Sequence, residues 1–141
     1  MSPKDQEKLF HKEYASELIR IAESDLESAN VLKSSAKGRA ENVCFHAQQA
    51  MEKALKAALC ALGRKVPLVH DLGALIAKLP DDDTRPFGYE LIVYNDYAAI
   101  RRYEEGAEIL TEKELKQALD QAKAVLEWAK SLIKSQLGPQ K

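Results

Sequence analysis

The stretch from Arg39 to Gly63, RAENVCFHAQQAMEKALKAALCALG, limits the possible folds more than any other part of the chain. It is alanine-rich, contains no proline and is closed by Gly63, so it reads as one helix of about six turns. On a wheel of about 100° per residue with His46 at zero, Ala57, Ala50, Val43, Ala61, Ala54, Ala47, Ala58, Met51, Cys44, Leu62, Leu55 and Leu59 fill an arc of roughly 200°. A helix on the outside of a bundle needs an apolar stripe only about half as wide. The pattern therefore predicts a central helix that touches several neighbours, with its alanines allowing close approach. The opposite arc is also ordered: His46, Lys53, Gln49 and Lys56 fall within about 80° of one another.

Around this helix the chain reads as a single domain over 1–137, with 138–141 a disordered tail. Lys plus Arg number 21 against 22 Asp plus Glu, a net charge of −1. No global basic field gathers nucleic acid, so any such binding needs a local patch. Cys44 and Cys60 lie on one helix about 24 Å apart, beyond disulfide reach, and fit buried positions in a reducing compartment. The opening residues MSPKDQEKLF are charged without an apolar run, and no stretch reaches the length of a membrane span. A soluble, cytoplasmic protein is expected.

Pro3 to about Ser35 reads as a first long helix, with Leu18, Ile21, Ala22, Asp25, Leu26, Ala29 and Leu32 at three- and four-residue spacing. Lys33–Gly38 is a turn. After Gly63 a loop runs to Val69, and His70-Asp71 opens a short helix with Leu72, Leu75, Ile76 and Leu79 on one stripe before Pro80. Asp81–Gly88 is a polar solvent loop. Tyr89–Tyr103 contains LIVY, apolar and β-branched enough for a strand, but no second strand exists to pair with it, so helix is expected. Thr111 with Glu114 is a capping box that starts the last helix, on which Leu115, Leu119, Ala122, Val125, Leu126, Ala129, Leu132 and Ile133 form a narrower stripe. The fold expected is all-α: an up-and-down bundle of four main helices with an additional short one, short connections making neighbours antiparallel.

Each polar constellation has two readings. His46, Gln49, Lys53 and Lys56 could hold a phosphate or a base; equally, Glu52 and Lys56 form an i,i+4 pair and the rest is a wet helix face. Phe45 lies on that polar arc, where an exposed ring suggests a partner surface, a second copy first of all. Tyr94, Tyr97 and Arg101 share a helix side and could stack on a base and pair with phosphate; equally, the tyrosines pack in the core and Arg101 pairs with Glu104 or Glu105. Asp71 is read as the cap of the short helix, not as an acid–base partner of His70. Neither metal-ligand spacing nor a phosphate loop nor a nucleophile elbow is present, and no cofactor is expected.

FHAQQAMEKALKAAL (Phe45–Leu59), followed by VHDLGALIAKL (Val69–Leu79) and later by Ile100-Arg101-Arg102-Tyr103-Glu104, resembles the motif series of the HEPN domain family. That series is an F-x-A-Q-Q-A-x-E-K-x-L-K-A helix, an H-[DS]-L helix start and an A-R-Y-P motif. The resemblance covers roughly Tyr14 to Ile133 and implies a helical bundle that commonly dimerises. Some members are partners of small nucleotidyltransferases in pairs that behave as toxin–antitoxin systems, and others were proposed to bind nucleotides. A further branch consists of metal-independent ribonucleases with a late R-x4-6-H motif. Here the last histidine is His70, so no histidine follows Arg101 or Arg102; Arg39 and His46 fit the spacing in another helix. Glu104 replaces the motif's proline.

The resemblance thus implies a non-catalytic module that binds a nucleotide or a nucleotidyltransferase partner and forms a homodimer. His46, Gln49, Lys53 and Lys56 are its expected phosphate contacts, with Tyr97, Arg101, Arg102 and Tyr103 closing the site. The enzyme alternative is a ribonuclease toxin with Arg102 and His46 as the catalytic pair, RNA being the less favoured ligand. A purely structural helical adaptor is the third reading.

Overall fold

The computed structural model of the chain describes residues 2–98 and 110–138. These form α1 (Pro3–Ser34), α2 (Ala40–Ala61), α3 (Leu72–Ala77), a 3-10 helix (Tyr89–Ala98) and α4 (Glu112–Leu137). The fold is all-α, and no strand occurs among the described residues. Three helices are long. The fourth main helix of the expected bundle is, as far as it is described, the 3-10 segment.

α2 is the axis of the molecule. It packs against α1, α3, the 3-10 helix and α4, and Ala47, Ala50, Ala54, Ala57 and Ala58 on it are wholly buried. Small side chains let the neighbouring backbones come close, while Met51, Leu55 and Leu59 fill the space between them. α1 runs antiparallel to α2, with the Cys60 thiol donating to the His11 carbonyl at 3.4 Å. α4 is antiparallel to α1 as well, because Lys130 meets Glu23 at 3.2 Å and Lys33 meets Glu112 at 3.4 Å. α2 and α4 therefore run in the same direction, and the segment between them crosses back.

The local chemistry at the helix ends sets the turns. Ser2 accepts from the Asp5 amide ahead of Pro3 at the first helical position. A Cβ on Gly38 would run into the Leu32 carbonyl, so the α1–α2 turn requires glycine there. Gly63 ends α2 at φ +71°, a conformation that L side chains rarely adopt. Thr111 and Glu114 form the expected capping box of α4.

Three details differ from expectation. Ile19, not Ile21, enters the core from α1, and Ile21 is 39 % exposed. The Asp81–Gly88 loop is not wholly solvated: Phe87 is buried edge-on to Trp128 at 5.0 Å, with the Arg85 guanidinium over its ring. Tyr89–Ala98 is helical, but wound at three residues per turn, so Leu91, Tyr94 and Tyr97 line up on one side. Leu91 and Tyr97 are buried and Tyr94 is half-buried.

Enlarging an α2 alanine tests the close approach. Ala54→Leu should cost about 1–3 kcal/mol through overpacking, read from urea unfolding. An unchanged midpoint would mean that α2 and its neighbours have room to spare.

Candidate functional site

The polar arc of α2 is not a wet face. It runs down the seam between α1 and the residues that lead into α3, and its centre is a carboxylate shut away from water. The Glu52 side chain is 1 % exposed and accepts from Lys56 Nζ at 3.1 Å. The His70 Nδ1 lies 2.9 Å from the other Glu52 oxygen. An ionised carboxylate only accepts, so that nitrogen carries the proton. Lys53 Nζ approaches Glu52 at 3.5 Å and donates to Gln49 Oε1 at 2.8 Å. Gln49 donates to Gln48 at 2.6 Å, and the fully buried Gln48 donates to the His70 carbonyl at 3.4 Å. Lys53, Gln49, Gln48, His70 and Glu52 thus close a ring, with Lys56 attached.

Burial alone would raise the pKa of Glu52. The Lys53 charge, the hydrogen bonds from His70 and Lys56 and the Lys56 charge outweigh it, and the carboxyl lies below its ordinary value. Asp25, on α1, goes the other way: burial dominates over the attraction of Lys53 and His46 and raises its pKa. His46 Nδ1 sits 3.8 Å from Asp25, too long for a hydrogen bond, and has no hydrogen-bond partner in the seam. Two lysines therefore face two carboxylates. The arc carries no surplus positive charge.

A second constellation lies on the far side of α2, on the face that Cys44 occupies. A pocket of about 340 Å³ is lined by Cys44, by Val93, Tyr94, Asp96 and Tyr97 of the 3-10 helix, and by Leu110, Glu114 and Gln117 at the start of α4. Burial raises the Tyr94 pKa, so its phenol stays a neutral donor. Among the described residues no group of His, Cys, Asp or Glu is placed to hold a metal ion. No described helix is long and apolar enough to cross a membrane.

The HEPN domain family model matches residues 15–132, most of the chain. The chain belongs to the HEPN family. No curated protein and no solved structure matches it. The HEPN segment spans both constellations, from Asp25 to Gln117.

The expected site residues separate. His46, Gln49, Lys53 and Lys56 stay together on the half-buried seam, where Glu52 and Asp25 balance their charge. Tyr97 does not join them; it lines the pocket on the opposite side of α2. Arg101, Arg102 and Tyr103 lie outside the described residues. Phe45 is half-buried, its ring edge-on to His46 at 5.3 Å, and is not the exposed ring expected for a partner surface. Asp71 caps α3 as expected, accepting from Gly73 and Ala74, and Asn95 of the 3-10 helix clasps it at 2.9 Å.

The Glu52–Lys56 pair is present as expected; Gln48, the burial of Glu52 and its contact with His70 are what the sequence reading missed. A signal was present for the first two. At about 200° and 240° on the wheel, Gln48 lies within the apolar arc and Glu52 at its edge. His70 reaches Glu52 from another segment, which no wheel can show.

Removing the carboxylate charge should strand Lys56 in the seam. Glu52→Gln is expected to cost roughly 3–5 kcal/mol at neutral pH. Because folding lowers the Glu52 pKa, its contribution is complete above the ordinary value of 4.5 and is lost as pH falls through the folded value. The wild type should therefore lose stability in acid more steeply than Glu52→Gln. Parallel pH profiles of the melting midpoint would show that Glu52 is not the titrating group.

Proposed function

We propose that this HEPN domain is a non-catalytic module that binds a nucleotide, a nucleotidyltransferase partner or both, and that it acts as a homodimer. One observation supports the location. Tyr97 and Leu110 line the same pocket, and Arg101, Arg102 and Tyr103 fall between them in the sequence. Two phenol rings, the Gln117 amide and two carboxylates offer stacking and hydrogen-bonding groups for a nucleobase, in a volume at the lower end of the usual ligand-site range. Arginine forks are suited to phosphate, and Arg101 and Arg102 supply the charge that the α2 arc lacks. The arc itself, His46 and Gln49 with Lys53 and Lys56, then acts as internal support.

The absence of catalysis rests on the sequence, which has no histidine after its arginine pair. For the ribonuclease alternative, the His46 imidazole is the one to test, since Asp25 stands beside it.

The test is a melting curve with and without millimolar ATP, GTP and AMP. A ligand at about a hundred times its Kd adds roughly 2.7 kcal/mol, which is on the order of 5–10 °C in a domain of this size. The shift should survive in Lys53→Ala and vanish in Arg102→Ala. The reverse outcome would put the phosphate on the α2 arc. No shift with any nucleotide would sink the nucleotide reading, and cleavage of RNA that stops in His46→Ala would replace it with the enzyme.

A further inference from the structure

We propose that the outward face of α1 seats a second copy of this chain, the two α1 helices packing antiparallel about a two-fold axis. The inference rests on the homodimer of the reading above and names its face. Phe10, Tyr14, Glu17, Ile21, Ser24, Ser28 and Val31 follow one another at alternating steps of four and three residues. This is the seam spacing of paired helices. It is not the face that α1 turns to the core, which carries Ala15, Leu18, Ile19, Ala22 and Ala29. Phe10 is 59 % exposed, Tyr14 42 %, Ile21 39 % and Val31 62 %. Four large apolar side chains aligned in water over about 32 Å of helix mark a contact surface.

The occupant follows from how size is distributed along the seam. Its first half carries large rings, Phe10 and Tyr14, in tilted contact at 5.9 Å and forming a ridge. Its second half carries Ser24 and Ser28, which with Glu27, Val31, Leu32 and His46 line a groove of about 540 Å³. A two-fold axis sets a patch against itself. The antiparallel register that puts Phe10 opposite the partner's Ser28 also puts Tyr14 opposite the partner's Ser24, and Glu17 opposite the partner's Ile21. Ridge enters groove twice, and no unrelated partner is needed to explain why one helix carries both shapes.

Charge is mixed near the axis. Glu17 pairs with Arg20 within one chain, and in this register it comes close to level with the partner's Arg20, so the pair can be exchanged across the interface. On the flank, Glu13 meets the partner's Glu27 and Arg20 meets its own copy, like-charge contacts that moderate the association and that salt relieves. The ridge also precedes residue 15, where the family match begins. It belongs to this chain and not to the matched HEPN segment.

Sedimentation over a concentration series tests the proposal on the full chain. Tyr14→Glu and Ser24→Trp should each weaken self-association by about tenfold or more, while Leu68→Glu, at a residue 98 % exposed elsewhere, should leave it unchanged. All three positions are exposed, and far-UV circular dichroism checks that the variants fold. A Tyr14→Cys/Ser24→Cys double variant should form a covalent dimer on mild oxidation, since Cys44 and Cys60 are buried. A wild-type dimer indifferent to both seam variants, with no cross-link, overturns this face and leaves the homodimer standing. A wild type that stays monomeric throughout overturns both.

Discussion

A carboxylate buried among alanines and leucines is stable as an ion only when cations and donors are built around it. Glu52 meets this condition through Lys56 and Lys53 on its own helix and His70 from the approach to α3. The arrangement fixes more than one side chain. His70 precedes the cap of α3, the cap residue Asp71 is clasped by Asn95, and Asn95 also accepts from the Leu72 amide at 2.9 Å. The position of the 3-10 helix is thus tied to the α2 carboxylate through a continuous series of polar contacts. The Tyr94–Tyr97 pocket hangs from the end of that series.

Alanine packing and the buried charge depend on each other. The close packing of the neighbouring elements against α2, made possible by its wholly buried alanines, keeps water from Gln48 and Glu52. Exclusion of water strengthens each contact Glu52 makes and raises the cost of losing any of them. A looser helix pair would turn the same residues into a hydrated surface with little energetic weight. The short side chains of α2 are therefore an electrostatic device as well as a packing one.

Much of this was legible in the residues. The apolar arc of α2, the Thr111–Glu114 box, the Asp71 cap and the buried stripe of α3 all rest on spacing within one helix, and each is present. What could not be read is what depends on another segment. Ile19 and Ile21 both suit a helical stripe, and only the placement of α2 and α4 decides which one is buried. The winding of Tyr89–Ala98 sets Leu91 and Tyr97 on one side, both buried, a placement that depends on the core they meet. Within the candidate site, the alignment of His46, Gln49, Lys53 and Lys56 was visible, but its neutrality was not, because Asp25 comes from α1. Tyr97, expected to close the site over that alignment, lines the pocket on the other side of α2, since nothing in its own helix fixes which face of a neighbour it will meet.

The Cys60 thiol, buried at the α1–α2 contact and donating to the His11 carbonyl, has its pKa raised by burial. A thiol in that state does not react with alkylating or oxidising reagents until α1 lifts away from α2. The chain therefore contains its own gauge of local opening. At low reagent concentration, the rate at which Cys60 is modified measures the fraction of time the pair of long helices spends apart, separately from global unfolding.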